Sequence, residues 1–181
     1  MTAIAAIAQD GKVWIGADSA GSGGTCLQIR RDEKVFVKDN TFIIGCTDSF
    51  RMTQLLRWSL RVPKQDKKVS DEEFMMTTFI EAVRKCFKNN GFANIKENQE
   101  SGGTFIVGYR GSIYEIEGDF QVAMFHRNYT SVGCGYDICL GSLFTTERSL
   151  LPEDRIIIAL SAAEMFSTAV RRPFVIKCLE K

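Results

Sequence analysis

The sequence holds one histidine, His126, flanked by Phe125 and Arg127. A serine or cysteine nucleophile with a histidine base would have to run through that single residue. It contains no GxSxG elbow, no HExxH, no GxxxxGK and no cysteine–histidine set at metal-ligand spacing. Gly133-Cys134-Gly135 has the start of a dinucleotide loop, but Ile138 stands where the third glycine belongs. Amide chemistry without histidine has another route, in which a chain-terminal threonine supplies the hydroxyl nucleophile and its own α-amine supplies the base. That amine has an ordinary pKa of about 7.7–8.0, so it accepts a hydroxyl proton near neutrality. A buried lysine beside it lowers the pKa further and itself needs a carboxylate. Thr2 becomes terminal if Met1 is removed, as expected for methionine before a small residue. Asp18 lies in GADS and Lys34 in EKVF. A threonine at position 2 is commonplace, so these residue types alone leave a purely structural role open.

The elements that must position these residues are legible from pattern. Residues 3–9 and 12–19 read as two strands joined by Asp10-Gly11, a strong hairpin signal. Residues 104–109 and 112–117 repeat the design around Arg110-Gly111, and 34–38 and 41–46 flank a turn at Asp39-Asn40. A hairpin returns its end to its start, which brings Asp18 near Thr2, and the next strand can bring Lys34 there. Helical periodicity predicts a helix over 49–60 with Met52, Leu55, Leu56 and Ser59 on one face. It predicts a second over 71–89, with Met75, Phe79, Ala82, Val83 and Cys86 inward and a capping box from Ser70 and Glu73. A third follows Gly135 to Leu143. The last runs from Pro152 to about Val170, with Ile156, Leu160, Ala163 and Ser167 on one face and enough apolar residues elsewhere to predict packing on both sides. Residues 173–178 close the chain as a strand. The longest polar stretch, 91–103, does not divide the chain, so one domain over 1–181 is expected. Strands, two helices, strands, two helices and a strand predict an α+β fold, a four-layer αββα sandwich of two stacked sheets flanked by helices.

The opening MTAIAAIAQDGKVWIGADS resembles the start of proteasome β-subunits and of the bacterial ATP-dependent proteasome-like peptidase, both N-terminal-nucleophile (Ntn) hydrolases. In that family the nucleophilic threonine precedes a hairpin ending in G/A-D-S/G, with the aspartate sixteen and the lysine thirty-two positions after it. Asp18 and Lys34 stand at those spacings from Thr2. KVFVKDNTFIIGCTDSFRMTQLL is similar to the family's lysine strand and first helix, GGTFIVGYRGSIYEIEGDF to its mid-chain hairpin, SVGCGYD to its Gly-Ser-Gly loop and RIIIALSAAEMFSTAV to its late helix. The resemblance implies Thr2, Asp18 and Lys34 as catalytic residues, with Lys34 keeping the amine neutral and Asp18 fixing Lys34. It assigns Asp48, Cys134 and Ser161 to the substrate-binding side. There the sequence departs from the family: Thr47-Asp48-Ser49 replaces the Gly-Gly that supplies an oxyanion amide, Cys134 replaces a serine, and Ser161 corresponds most nearly to an aspartate. The implied activity is threonine-type hydrolysis of peptides or unfolded protein, without a cofactor, in a closed homo-oligomeric ring; whether an ATPase feeds it stays open. A non-peptidase acylase and an inactive ring-forming subunit remain the alternatives.

Composition narrows the partners. The 181 residues carry a formal charge of +1, with 45% apolar and 25% charged residues. Such a balance offers no overall field for nucleic acid or an anionic membrane. The apolar opening is short, ends at Gln9-Asp10 and lacks a basic leader, and no later stretch approaches the roughly 20 apolar residues of a membrane helix. Six cysteines without CxxC pairing predict free thiols in a reducing cytoplasm and no metal site. Phe50, Leu55, Leu56, Trp58 and Leu60 give the first helix more apolar surface than one buried face needs, as expected if part of it meets another subunit.

Overall fold

The computed structural model describes residues 2–23, 26–148 and 150–181. β1 (Ala3–Gln9) and β2 (Lys12–Ala17) form an antiparallel hairpin, with Ile4 opposite Ala17 and Gln9 opposite Lys12. Asp10 and Gly11 have φ of +51° and +74°, the left-handed pair that a two-residue type I′ turn requires. β12 (Tyr129–Gly133) and β13 (Val175–Glu180) flank them, giving a four-stranded sheet in the order β12-β1-β2-β13. The second sheet runs β11-β10-β9-β6-β5, from β5 (Val35–Lys38), β6 (Phe42–Cys46), β9 (Phe105–Tyr109), β10 (Ser112–Ile116) and β11 (Val122–Ala123).

β1 is apolar almost throughout because both of its faces are covered. Ile4 and Ala6 point toward the second sheet and pack with Val13, Ile15, Ile43 and Ile106. Ala3, Ala5 and Ile7 point the other way, against α3 (Tyr136–Thr145) and α4 (Pro152–Phe166), through Leu143, Ile156 and Leu160. The outer face of the second sheet is covered in the same way by α1 (50–59) and α2 (71–89): Phe42 and Ile44 pack with Met52, Leu56, Phe79 and Val83. The sheets approach closely where side chains are absent: a Cβ on Gly45 would lie 2.7 Å from Ile4 Cγ2 and 2.8 Å from Ile15 Cγ2. Helices outside and two sheets inside make the expected four layers.

Several details depart from the periodicity. Both α1 and α2 contain a π-helical turn, Leu55–Ser59 and Met75–Phe79. In α1 the Leu60 N–H reaches back to the Leu55 carbonyl at 2.8 Å. The wider turn rotates the buried face, so Leu60 is buried and Ser59 is exposed, reversing the expectation for Ser59. At the start of α2 the Ser70 hydroxyl accepts the Glu73 N–H at 3.1 Å, as its sequence signature predicts. α4 ends at Phe166, with Ser167 as its C-cap rather than inside a helix reaching Val170. Its inner face is buried as expected, but its outer face is bare: Met165 is 76% and Phe166 79% exposed. Within this chain it packs on one side only. Two short hairpins also escape the periodicity, β3 (Ala20–Gly23) with β4 (Cys26–Ile29) and β7 (Asn94–Lys96) with β8 (Gln99–Ser101).

Candidate active site

The first hairpin fixes Thr2 and Asp18 at one end of the inner layers. The Asp18 N–H approaches the Ala3 carbonyl at 3.4 Å, and the Asp18 carboxylate turns back over the same rung. Its Oδ1 accepts the Ala3 N–H at 3.1 Å and Lys34 Nζ at 2.8 Å. Oδ2 accepts the Ala20 N–H at 2.8 Å and the Arg171 N–H at 3.3 Å. Four donors converge on one carboxylate, so its charge is balanced without water. Both members of the ion pair are buried, with 4% of the Lys34 side chain and none of the Asp18 side chain exposed. Burial lowers the Lys34 pKa below the ordinary lysine value, and the charge and hydrogen bond of Asp18 oppose that shift.

Lys34 stands immediately before β5 and enters a cleft of about 80 Å³ whose walls include Thr2, Ser22, Cys46, Asp48, Phe50 and Thr53. Thr2 is itself buried, 4% exposed. Its carbonyl is held by the loop after β12, where Gly135 N–H approaches it at 3.4 Å. Gly133 adopts φ +94°, and a Cβ there would sit 2.4 Å from the Thr2 carbonyl oxygen. Only glycine lets the two backbones approach this closely.

Asp48 takes up the left-handed conformation that a glycine would favour, with φ +50°. Its side chain stabilises it there by accepting the Thr104 N–H at 2.8 Å on Oδ2, while the Thr47 hydroxyl donates to the Thr104 carbonyl at 2.8 Å. The loop is therefore braced against β9 by side chains where glycines would supply only freedom. Among the described residues, no hydrogen bond uses the Asp48 N–H, and Asp48 lines the cleft together with Thr2 and Lys34.

Cys134 and Ser161 do not line the cleft. Cys134 is exposed in the loop that holds Thr2. Ser161 lies on α4, its hydroxyl donating to the Ile157 carbonyl at 2.7 Å and accepting from Arg172 at 2.9 Å. Glu164 clasps the same arginine at 2.6 Å, which ties this part of α4 to Arg172 instead of to Thr2. Sequence reasoning missed the cleft-wall residues Ser22, Cys46, Phe50 and Thr53, and also Arg171. Arg171 acts through its backbone N–H, and backbone donors have no residue signature. Cys46 is on the cleft wall, where burial pushes its thiol up to about 12, so it stays protonated and is a poor nucleophile. Among the described residues no group of three His, Cys, Asp or Glu side chains is placed to hold a metal.

Solved structures share this architecture over nearly the whole chain. BPH from Thiobacillus denitrificans superposes with a TM-score of 0.82 at 17% identity, covering 99% of this chain and 98% of that one. HslV from Trypanosoma brucei gives 0.71 at 13% identity, covering 99% and 100%. Anbu, the ancestral beta-subunit from Yersinia bercovieri, gives 0.66 at 14% identity, covering 99% and 82%. The chain has the proteasome-like Ntn-hydrolase fold. At these identities the likeness is one of fold. No protein-family model matches the sequence, and no curated protein matches it either. In this Ntn-hydrolase fold the cleft lies where the first hairpin, the Lys34 strand and the loop after β12 converge. Among the described residues no helix is long and apolar enough to cross a membrane.

Proposed function

We propose that this protein is a threonine-type peptidase that hydrolyses peptide amide bonds after removal of Met1. One observation carries the reading: Thr2 and a buried, Asp18-paired Lys34 line the same cleft. A terminal Thr2 would carry a free α-amine beside a buried cation, which favours the neutral, proton-accepting form of that amine. The Thr2 hydroxyl proton passes to this amine, directly or through a water, as Oγ bonds to the substrate carbonyl carbon. The oxyanion that develops is met by the Asp48 N–H. Collapse breaks the C–N bond, and the amine returns the proton to the leaving nitrogen. Water then attacks the Thr2 ester, the same amine takes its proton, and the acid product leaves with Thr2 restored.

The solved structure of BPH in complex with epoxomicin, of similar fold, adds support for a site of this type. We propose further that the chain works as a homo-oligomer, with a closed ring as the expected form. The bare outer face of α4, with Ile157, Ile158, Met165 and Phe166, offers an apolar surface for a second copy, and Trp58 on α1, 68% exposed, is a separate apolar position on the opposite outer layer. Screening mature protein against fluorogenic peptides and N-acylated small molecules tests the activity. Cleavage of peptides supports a peptidase; turnover of the small molecules alone makes the protein an acylase.

A further inference from the structure

The cleft beside Thr2 is small and one of its walls is clamped. Its volume of about 80 Å³ is well short of the ~150 Å³ of a cavity that admits benzene, and exceeds the ~30 Å³ that one water occupies. It fits a methyl, hydroxymethyl or isopropyl group and is too small for an aromatic ring.

Phe50, the first residue of α1, supplies the wall. The Arg30 guanidinium lies 3.9 Å from the centre of its ring, and Lys34 Nζ lies 5.8 Å from the same centre. Arg30 is itself fixed: two nitrogens donate to the two Asp32 oxygens, each at 2.7 Å. Its stem runs across Gly21, where a Cβ would come within 2.4 Å of Arg30 Cδ. The absent side chain on β3 is thus what lets Arg30 reach the ring. Elsewhere the cleft is bounded by buried Cys46 and Thr53, the latter donating to the Ser49 carbonyl at 3.3 Å. Among the described residues, the long flexible side chain on the cleft wall is Lys34, and its buried pair with Asp18 holds it in place.

We propose that Phe50, held by the Arg30–Asp32 pair, sets the size limit of this cleft, so that the protein acts on peptides with a small residue on the acyl side of the scissile bond. The proposal rests on the peptidase reading for its chemistry, but the size limit itself is a property of the cleft. It is tested with mature protein and two N-acetylated tripeptide coumarin amides that differ only in alanine or phenylalanine before the scissile bond. A misfit in a close-packed pocket costs about 10–200-fold per methylene-sized group, so kcat/KM for alanine should exceed that for phenylalanine by roughly 100-fold. In Phe50→Ala that ratio should fall at least about tenfold, and in Arg30→Gln, which leaves the ring but frees it, by a smaller factor. Phe50→Leu serves if the alanine variant does not fold. Equal cleavage of both peptides by the wild type, or an unchanged ratio in a folded Phe50 variant, overturns the proposal. Calorimetry of Thr2→Ala with the two N-acetyl tripeptide acids separates the two claims. Selective binding of the alanine peptide without cleavage by the mature protein keeps the size limit and removes the peptidase reading. Cleavage without selectivity does the reverse, and equal or absent binding of both peptides counts against the size limit.

Discussion

Replacing Asp18 by asparagine should be far more damaging than its near-identical shape implies. All four partners of the carboxylate are donors: the Ala3, Ala20 and Arg171 N–H groups and the Lys34 ammonium. Asparagine offers one oxygen, and its NH₂ must then face two donors on the other side. It also leaves Lys34 buried without a counter-charge, and breaking a buried pair from one side costs about 3–5 kcal/mol. Lys34→Met removes the cation but leaves the carboxylate three backbone donors, so its cost should be smaller by about 1 kcal/mol or more. In the double variant the orphaned cation is gone, and the cost should fall short of the sum of the singles by about 2 kcal/mol. The pH dependence adds a signature. Lys34 already has a lowered pKa, from burial opposed by Asp18, and without Asp18 it falls further. A group lowered on folding binds fewer protons in the native state, so stability rises with pH between the folded value and the unfolded value of about 10.4. Urea unfolding followed by circular dichroism from pH 6 to 9 should show Asp18→Asn regaining stability as pH rises, and the double variant losing that slope. Equal costs for the two single variants, strictly additive costs, or a flat pH profile would refute the reasoning.

Glu115 titrates in the opposite sense. Burial raises its pKa from 4.5 to about 7, against the opposing effect of the Thr130 hydroxyl, which donates to its carboxylate at 2.9 Å across the sheets. Its contribution is therefore fully present below about 4.5 and lost as pH rises through about 7; discounted for screening, about 1–2 kcal/mol should go, and Glu115→Gln should flatten that slope in the same urea assay. Gly133→Ala forces a Cβ within 2.4 Å of the Thr2 carbonyl at positive φ, which should cost about 2 kcal/mol or more and abolish turnover; wild-type melting and activity would show that the loop yields freely. Lys34→Arg should not preserve activity, because a planar guanidinium cannot replace a compact ammonium in a buried site; a wild-type rate would reduce Lys34 to a general positive charge. Light scattering should give a mass several times 20.3 kDa, and a monomer across a wide concentration range would leave the outer face of α4 unexplained.

Hairpins built on Asp10-Gly11 and Arg110-Gly111 were legible because both turns need left-handed residues and announce them. The β3–β4 and β7–β8 hairpins were not, because they lack buried alternation: all four residues of β4 are exposed. π-Helical turns leave no mark on a 3.6-residue period, which is why Ser59 was misplaced. The apolar outer face of α4 was visible, but a sequence does not say whether its cover comes from the same chain. Thr2 and Asp18 could be brought together on paper because one hairpin relates them; Lys34 reaches them across the sheets, from the start of β5, because β13 and not the next strand pairs with β2. The rest of the cleft could not, since it depends on where β6 ends and α1 begins, and on backbone groups such as the Arg171 N–H.

The central claim is that Thr2, freed of Met1, is the nucleophile. Protein from the native host, checked by intact mass for loss of Met1, can be treated with a peptide β-lactone and mapped by tandem mass spectrometry. One adduct on the peptide beginning at Thr2, absent from Thr2→Ala and retained in Thr2→Ser, is the predicted result. Retention of Met1 in the native protein, no adduct on the mature chain, or an adduct that survives Thr2→Ala would contradict it.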